Sequence, residues 1–144
     1  MPSVSFSSAV WLHRVAAVLL ALVLAGCAGT EPMGGSETEL WDRAQAYWDA
    51  RVVNDLVTAF EFEAASVDAE PGLLQRYVSR GGGIRYRSAA VTAVRPVAVD
   101  RAEVDVAVVY TLAFPGFRRP IEAEITSNWI VLDGRWYHER EGRE

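Results

Sequence analysis

The stretch at residues 37–63, ETELWDRAQAYWDARVVNDLVTAFEFE, determines how the rest of the chain must be arranged. Its bulky apolar residues recur at steps of three and four, which places them on one face of a helix. They are Leu40, Trp41, Ala44, Tyr47, Trp48, Val52, Leu56 and Phe60. A face this rich in aromatic rings needs a broad apolar surface to cover it, and the second half of the chain is the part that can supply one.

Capping signals divide this stretch into two helices. Ser36 is followed three residues later by a glutamate, which is the pattern of a capping box at a helix start. Further on, the β-branched pair Val52-Val53 precedes Asn54-Asp55, and either of those two polar residues can cap a new helix. We therefore expect one helix at about residues 37–52 and a second at about 54–64.

A period of two replaces the helical period in the second half of the chain. A short third helix is expected from Pro71 to Val78, and strands follow from Ile84 onward. Asp100-Arg101, Pro115-Gly116 and Asp133-Gly134 are short turns, so the four strands that they join must be antiparallel. Helices followed by such strands predict an α+β fold, with the N-terminal helices packed on one face of a four-strand antiparallel sheet.

The composition excludes several classes of function. All 14 basic residues are arginines, they are scattered, and 19 carboxylates outnumber them, which is unfavourable for nucleic-acid binding. The single cysteine, Cys27, excludes an internal disulfide. The two histidines, His13 and His138, are far apart and one lies in the leader, so we expect neither a metal site nor a cofactor.

The N-terminus has the pattern of an export signal. Val15 to Leu24 is unbrokenly apolar and follows the positive charge of Arg14. This run is far shorter than the roughly 20 residues of a membrane-spanning helix, which favours a cleaved signal peptide.

The four residues Leu24-Ala25-Gly26-Cys27 at the end of this leader resemble the lipobox of bacterial lipoproteins. That resemblance implies lipid transfer to the Cys27 sulfur, cleavage before Cys27 and a lipid anchor in the cell envelope. Ala28, where some lipoproteins carry aspartate, implies the outer membrane, with the protein facing the periplasm. The alternatives are an ordinary secretory leader with a chance cysteine, or a free thiol packed in a core. The expected organisation is a signal peptide at 1–26, a lipidated cysteine and flexible tether at 27–35, and a domain at 36–144.

The order of elements in residues 37–140 resembles the nuclear transport factor 2-like superfamily, whose domains are cone-shaped. The resemblance rests on the aromatic first helix, the short helices entered at Asn54-Asp55 and Pro71, and a long sheet ending in Asp133-Gly134-Arg135-Trp136-Tyr137. The short strand that usually lies between the second and third helices is hard to identify in Ala64 to Glu70. The resemblance implies a curved sheet with a pocket at its open end, in proteins that include both enzymes and binding proteins.

The abundant aromatic residues are the clearest functional signal, because they exceed what a small core requires. We expect part of them to line a pocket for a small apolar ligand or an envelope protein partner, bound without catalysis. The residues assigned to this pocket are Trp48, Phe60, Tyr110, Trp129 and Tyr137.

Two alternatives remain open from the sequence. One is a lipid-anchored enzyme of the isomerase or dehydratase type, with Asp49 as base and Tyr110 or Tyr137 as proton donor. The other is a scaffold subunit of an envelope assembly that uses the exposed sheet face. Glu122 and Glu124 share a strand face and are interpreted as solvated, and we expect His138 to be a surface or edge residue.

Overall fold

The structure is a computed structural model of the 144-residue chain and describes residues 35–116 and 119–140. All of these belong to the second of the chain's two units, Pro32–Glu144. The predicted leader, Cys27 and all of the tether except Gly35 lie outside the described residues, as does the C-terminal tail at 141–144.

The first helix forms where the sequence predicts it. Helix α1 spans Glu37–Val52, and the Ser36 side chain accepts a hydrogen bond from the Glu39 backbone N–H at 3.1 Å. The helix ends because Asn54 takes a left-handed conformation with φ of 60°.

Helix α2 is shorter than predicted. Asp55 caps it through a hydrogen bond from the Thr58 N–H, but the helix covers only Leu56–Phe60. The chain then leaves the helical conformation, and Glu63 is extended with φ of −76° and ψ of 138°. This extension lets Glu63 form a parallel bridge with His138, while the His138 N–H donates to the Phe62 carbonyl at 2.7 Å. In place of the short strand that is hard to identify in residues 64–70, the structure has a single bridging residue, Glu63, just before them.

The remaining helical segments are short. A 3-10 turn covers Ala64–Ser66, helix α3 spans Leu73–Arg80, and a second 3-10 turn covers Gly81–Gly83. Helix α3 starts two residues later than predicted because Gly72 has a φ of +83°, which is outside the helical region.

The sheet has four antiparallel strands in sequence order, as predicted. They are β1 at Ile84–Ala98, β2 at Arg101–Leu112, β3 at Ile121–Leu132 and β4 at Arg135–Glu139. The pairing of β1 with β2 has three register shifts, and irregularities of this kind bend and twist a strand.

The helices pack on one face of this sheet, so the predicted α+β fold is confirmed. The inner face presents Val104, Val106 and Val108 from β2 and Trp129 from β3, all of them buried against helix α1 and its neighbours. From the helical side, Leu40, Ala44, Tyr47 and Trp48 are buried in the same core. Among the residues that the structure describes, no helix is long and apolar enough to cross a membrane.

Candidate functional site

A buried carboxylate lies between helix α1 and the edge strand β4. The Glu63 side chain accepts a hydrogen bond from the Tyr47 hydroxyl at 3.1 Å, and its second oxygen lies 2.9 Å from Nδ1 of His138. The His138 ring stacks on Tyr47 with centroids 4.6 Å apart and meets Trp129 edge-on at 5.7 Å. Glu63 is only 3% exposed, so a charge is buried here together with its partners.

These contacts determine the protonation state of the cluster. Burial alone would raise the pKa of Glu63, but the hydrogen bond and charge of His138, with the hydroxyls of Tyr77 and Tyr47, outweigh burial and lower this pKa. Burial raises the pKa of Tyr47 well above its ordinary value, and the nearby Glu63 adds to the effect. Glu63 is therefore ionised at neutral pH, while Tyr47 stays neutral and its hydroxyl donates a hydrogen bond to the carboxylate.

The contact with Glu63 corrects the expectation of a surface position for His138, whereas its place on the edge strand β4 agrees with the edge alternative. The His138 side chain is 13% exposed. The sequence contains a weak signal for this, because His138 is two residues from Trp136 and so shares its inward face of β4. Nothing in the sequence marks Glu63 as its partner, since the two are 75 positions apart.

A guanidinium extends the cluster. Arg51, on the last turn of α1, donates from Nη1 to the hydroxyls of Tyr47 at 3.1 Å and Tyr77 at 3.4 Å. Its Cζ lies 5.8 Å from the Tyr47 ring centroid and 5.4 Å from that of Tyr86, within the range of cation–π contacts. Tyr47 thus connects the Arg51 guanidinium to the Glu63 carboxylate.

A cavity of about 270 Å³ opens beside this cluster, between the end of α1 and the sheet. Its lining residues are Tyr47, Trp48, Arg51, Tyr86, Ile125, Thr126, Ser127, Asn128, His138, Glu139 and Arg140. We call this space the aromatic cavity. The Trp48 ring meets the Tyr86 ring edge-on, with centroids 5.2 Å apart.

Trp48 carries a polar group that the described part of the protein leaves without a partner. The residue is only 4% exposed, and its indole Nε1 has no hydrogen-bond partner among the described residues. By contrast, the indole N–H of Trp129 donates to the Ser127 hydroxyl at 3.2 Å, and that of Trp136 donates to the Gly35 carbonyl at 2.8 Å. Buried donors are nearly always paired in native proteins, which makes the Trp48 nitrogen an exception to explain.

Two further concave regions lie elsewhere. A cavity of about 220 Å³ has Phe60, Leu73 and Tyr77 among its lining residues, and it shares Arg140 with the aromatic cavity. A shallow groove of about 510 Å³ is lined by residues of β1, β2 and β3, among them Ala90, Ala107 and Glu122.

The five residues predicted to line one pocket are spread over several places. Trp48 lines the aromatic cavity and Phe60 the second cavity. Trp129 is wholly buried in the core, and the half-buried Tyr110 reaches the site only through Tyr86, 6.1 Å away between ring centroids. Tyr137 points away from the cluster and lies 5.3 Å from the Arg43 guanidinium.

The prediction that Asp49 is the catalytic base of an isomerase or dehydratase is wrong. Asp49 is exposed on α1 and accepts a hydrogen bond from Gln45 at 2.8 Å. Because it is adjacent to the buried Trp48, it points off the packed face of the helix. No acid–base role in the aromatic cavity is available to it.

Metal ligands do not cluster in the part of the chain that the structure describes. Within residues 35–116 and 119–140, no group of three or more His, Cys, Asp and Glu side chains could hold a metal ion. Glu122 and Glu124 lie on the face of β3 that carries Thr126, away from Glu63 and His138.

Comparison with known proteins adds structural neighbours. No family model matches the chain, and no curated protein matches it. A SEC-C motif containing protein from Rhodopseudomonas palustris is 13% identical, with a TM-score of 0.49 over 68% of this chain and 73% of its own. A Campylobacter jejuni protein described as a nuclear transport factor 2-like transpeptidase is 13% identical, with a TM-score of 0.48 over 74% and 100%.

A third neighbour, from Novosphingobium aromaticivorans, is described as a scytalone dehydratase. It is 14% identical, with a TM-score of 0.48 over 72% of this chain and 79% of its own. At this similarity no activity named for these proteins is assigned to the present chain. The fold class of the present chain rests on its own helices and strands.

Proposed function

We propose that this chain is a lipoprotein of the bacterial cell envelope whose domain, residues 36–144, binds a small apolar ligand in the aromatic cavity without catalysis. The observation that carries the proposal is the aromatic cavity itself, where Trp48, Tyr86 and the Arg51 guanidinium lie within about one ring's distance of one another. Such a concave site with aromatic walls and a few charged groups is the usual form of a small-molecule site.

The size and walls of the cavity indicate the kind of ligand. Trp48, Tyr86 and Ile125 supply apolar surface, while Arg51, Asn128, His138, Glu139 and Arg140 are among the polar residues that line the rest of the cavity. A volume of about 270 Å³ is just below the range of roughly 300–1,000 Å³ that is usual for small-molecule sites. The cavity therefore suits a compact molecule with one ring better than a sterol or a long acyl chain.

The anchoring half of the proposal rests on the sequence. Leu24-Ala25-Gly26-Cys27 supplies the lipobox, and Cys27 supplies the sulfur that takes the lipid. Each buried methylene of an acyl chain contributes about 0.8 kcal/mol, so several chains hold a protein on a membrane permanently. We place the domain at the outer membrane, facing the periplasm, where it meets small molecules that enter the envelope.

Native mass spectrometry of the full-length chain, purified from its own envelope in a mild detergent, tests this proposal. We expect a small molecule to travel with the wild type and to be lost in Trp48→Phe, which replaces the indole of the cavity wall by a smaller ring. Trp41→Phe is the matched control, because Trp41 lies on the same helix and is 39% exposed.

Three results would contradict ligand binding: no bound molecule in the wild type, a molecule that both variants retain, or one that both lose. A stable protein partner in place of a small molecule would instead favour the envelope-partner or scaffold interpretation.

An acid–base enzyme is a second candidate, and the contact between His138 and Glu63 favours it. Nδ1 of His138 is occupied by the buried carboxylate, and the same histidine lines the aromatic cavity. A carboxylate that holds Nδ1–H leaves Nε2 as an acceptor, which is the form of a general base. This base takes the place of Asp49 in the isomerase or dehydratase hypothesis.

The same mass spectrometry separates the two candidates. If His138 is a base in a dehydration, the wild type should hold a product and His138→Gln should hold a substrate heavier by one water. If the domain only binds, both proteins should hold the same molecule. An identical mass in both would therefore exclude this dehydratase role.

A further inference from the structure

The aromatic cavity contains a cation whose hydrogen-bonding capacity is only partly used. Arg51 donates from Nη1 to two tyrosine hydroxyls, but Nε and Nη2 donate no hydrogen bond to any described residue. No carboxylate lies within 4 Å of the guanidinium in residues 35–116 and 119–140. Nε and Nη2 form one edge of the guanidinium fork, and such an edge matches the two oxygens of a carboxylate.

The other charges around the cavity do not neutralise Arg51 by direct contact. Glu139 lines the cavity but pairs with Arg101, whose Nη1 lies 2.7 Å from it. Arg51 is connected to Glu63 only through the Tyr47 hydroxyl. The two Glu63 oxygens already contact Tyr47 and His138. Arg140 adds a second guanidinium to the lining. The cavity thus favours a negative charge.

The donors converge on one region. Trp48 and Arg51 are three residues apart on α1, which places their side chains on neighbouring positions of one helix face. Both lie against Tyr86, with 5.2 Å between the Trp48 and Tyr86 ring centroids and 5.4 Å from the Arg51 Cζ to the Tyr86 centroid. A molecule beside Tyr86 is therefore within reach of the Arg51 guanidinium and of the Trp48 ring.

We propose that the ligand of the aromatic cavity is a small aromatic carboxylate. Its carboxylate is held by the Nε and Nη2 edge of Arg51, and its ring packs against Trp48 and Tyr86. This inference rests on the proposed ligand-binding function and amends it, because the ligand keeps an apolar ring but carries one ionised carboxylate. The alternative for Arg51 is purely structural, namely to hold the hydroxyls of Tyr47 and Tyr77.

The test uses phenylacetate as probe and phenylacetamide, its neutral counterpart, as control. Each is titrated into the full-length ¹⁵N-labelled chain in a non-ionic detergent, and the indole N–H resonance of Trp48 is followed by NMR. The Trp48→Phe variant identifies that resonance. We expect a saturable shift with phenylacetate and roughly ten- to a hundredfold weaker binding of phenylacetamide, since hydrogen bonds between charged groups are the stronger ones.

Three arginine variants locate the effect. Arg51→Gln should bind phenylacetate as weakly as the wild type binds phenylacetamide. Arg87→Gln, at an exposed strand position, should bind like the wild type. Arg51→Lys keeps the charge without the fork and should fall between them. Circular dichroism confirms folding. If both Arg51 variants fail to fold, the comparison of the two probes on the wild type decides.

The outcomes separate this inference from the function on which it rests. Equal binding of both probes overturns the carboxylate assignment and leaves a cavity for neutral aromatic ligands, so the proposed function stands. Unchanged phenylacetate binding by a folded Arg51→Gln also overturns it. A Trp48 resonance that neither probe moves overturns the aromatic carboxylate, while the molecule found by mass spectrometry still decides the proposed function.

Discussion

Glu63 is the residue whose replacement should change the stability of the domain most selectively. Glu63→Gln keeps the shape of the side chain but removes its charge. It also replaces one of the two oxygens that contact Tyr47 and His138 by an amide nitrogen. Because the site is buried, we expect the free energy of unfolding to fall by about 2–3 kcal/mol at pH 7. Urea denaturation measures this, with the exposed Glu61→Gln as the matched control. Equal losses in the two variants would contradict a special role for Glu63.

The same carboxylate should make stability depend on pH in a defined direction. The pKa of Glu63 is lowered in the folded protein, so the unfolded state binds a proton first as the pH falls. Its contribution is complete above the unfolded pKa of about 4.3 and is lost as the pH falls through the lower folded pKa. Below about pH 5, the wild type should therefore lose stability more steeply than Glu63→Gln.

Other carboxylates do not obscure this comparison. Hydrogen bonds from Thr58 lower the pKa of Asp55, and those from Arg95 lower the pKa of Asp105, but both shifts are common to the wild type and the variant. They cancel when the two stability curves are subtracted. Parallel curves between pH 3 and pH 5, measured by urea denaturation, would show that the Glu63 carboxylate is not linked to folding.

At the residue scale, the sequence predicts the apolar partners better than the polar ones. Tyr47, Trp48 and Trp129 follow from the helical and strand periods, and all three are buried. Glu63 and His138 could not be paired, because a period reveals which face a residue occupies but not which distant residue it meets. The sequence predicts an aromatic pocket, but it does not predict most of the residues that line the aromatic cavity, because such distant contacts bring them together.

At the element scale, the turn between β3 and β4 offers a clean test. Asp133 and Gly134 have φ of 50° and 77°, the conformation of a type I′ hairpin turn. An alanine at Gly134 would be strained, so Gly134→Ala should lower the unfolding free energy by about 1–2 kcal/mol. Gly82→Ala is the control, because a Cβ there meets no atom within 4 Å and no positive φ is required.

Thermal and urea unfolding of the two alanine variants measure this difference. The control should be neutral or slightly stabilising, because alanine restricts the unfolded chain more than glycine does. A Gly134→Ala protein as stable as Gly82→Ala would mean that the hairpin turn relaxes to a conformation without positive φ.

The limits of prediction are also visible at this scale. Helix α1 and the four strands follow local rules, with capping at Ser36 and a turn at Asp133-Gly134, and they form close to the predicted boundaries. The local sequence permits a helix up to residue 64, and the sequence therefore predicts one, but helix α2 ends at Phe60. It ends early because Phe62 and Glu63 pair with β4 instead, and a contact with a strand 75 positions away overrides local preference.

At the scale of the whole molecule, the aromatic cavity is assembled from four distant parts of the chain. Trp48 and Arg51 come from α1, Tyr86 from β1, Ile125 from β3 and His138 from β4. The strand order brings these parts together, because β4 pairs with β3 and its other edge reaches Glu63. The cavity therefore forms only when the sheet is assembled. Variants that disturb β4 should affect ligand binding and stability together.

The proposed lipid anchor adds the last prediction. If Cys27 is the lipidated residue, Cys27→Ser removes the only thiol in the chain, and a hydroxyl does not take its place as nucleophile. The wild type should incorporate a labelled fatty acid and yield an N-terminal peptide that begins at Cys27 and carries acyl chains, whereas Cys27→Ser should show neither. Mass spectrometry of the mature N-terminus measures this, with Thr30→Ser as the control in the tether.

Membrane fractionation alone would not decide the question, because an uncleaved apolar leader also binds membranes. The N-terminal peptide separates the two explanations, since only lipidation gives an acylated residue 27. An acylated N-terminus in Cys27→Ser, or an unmodified Cys27 in the wild type, would contradict the anchor. Ligand binding in the domain would be unaffected by either result, because Trp48 and Arg51 belong to helix α1, which does not include Cys27.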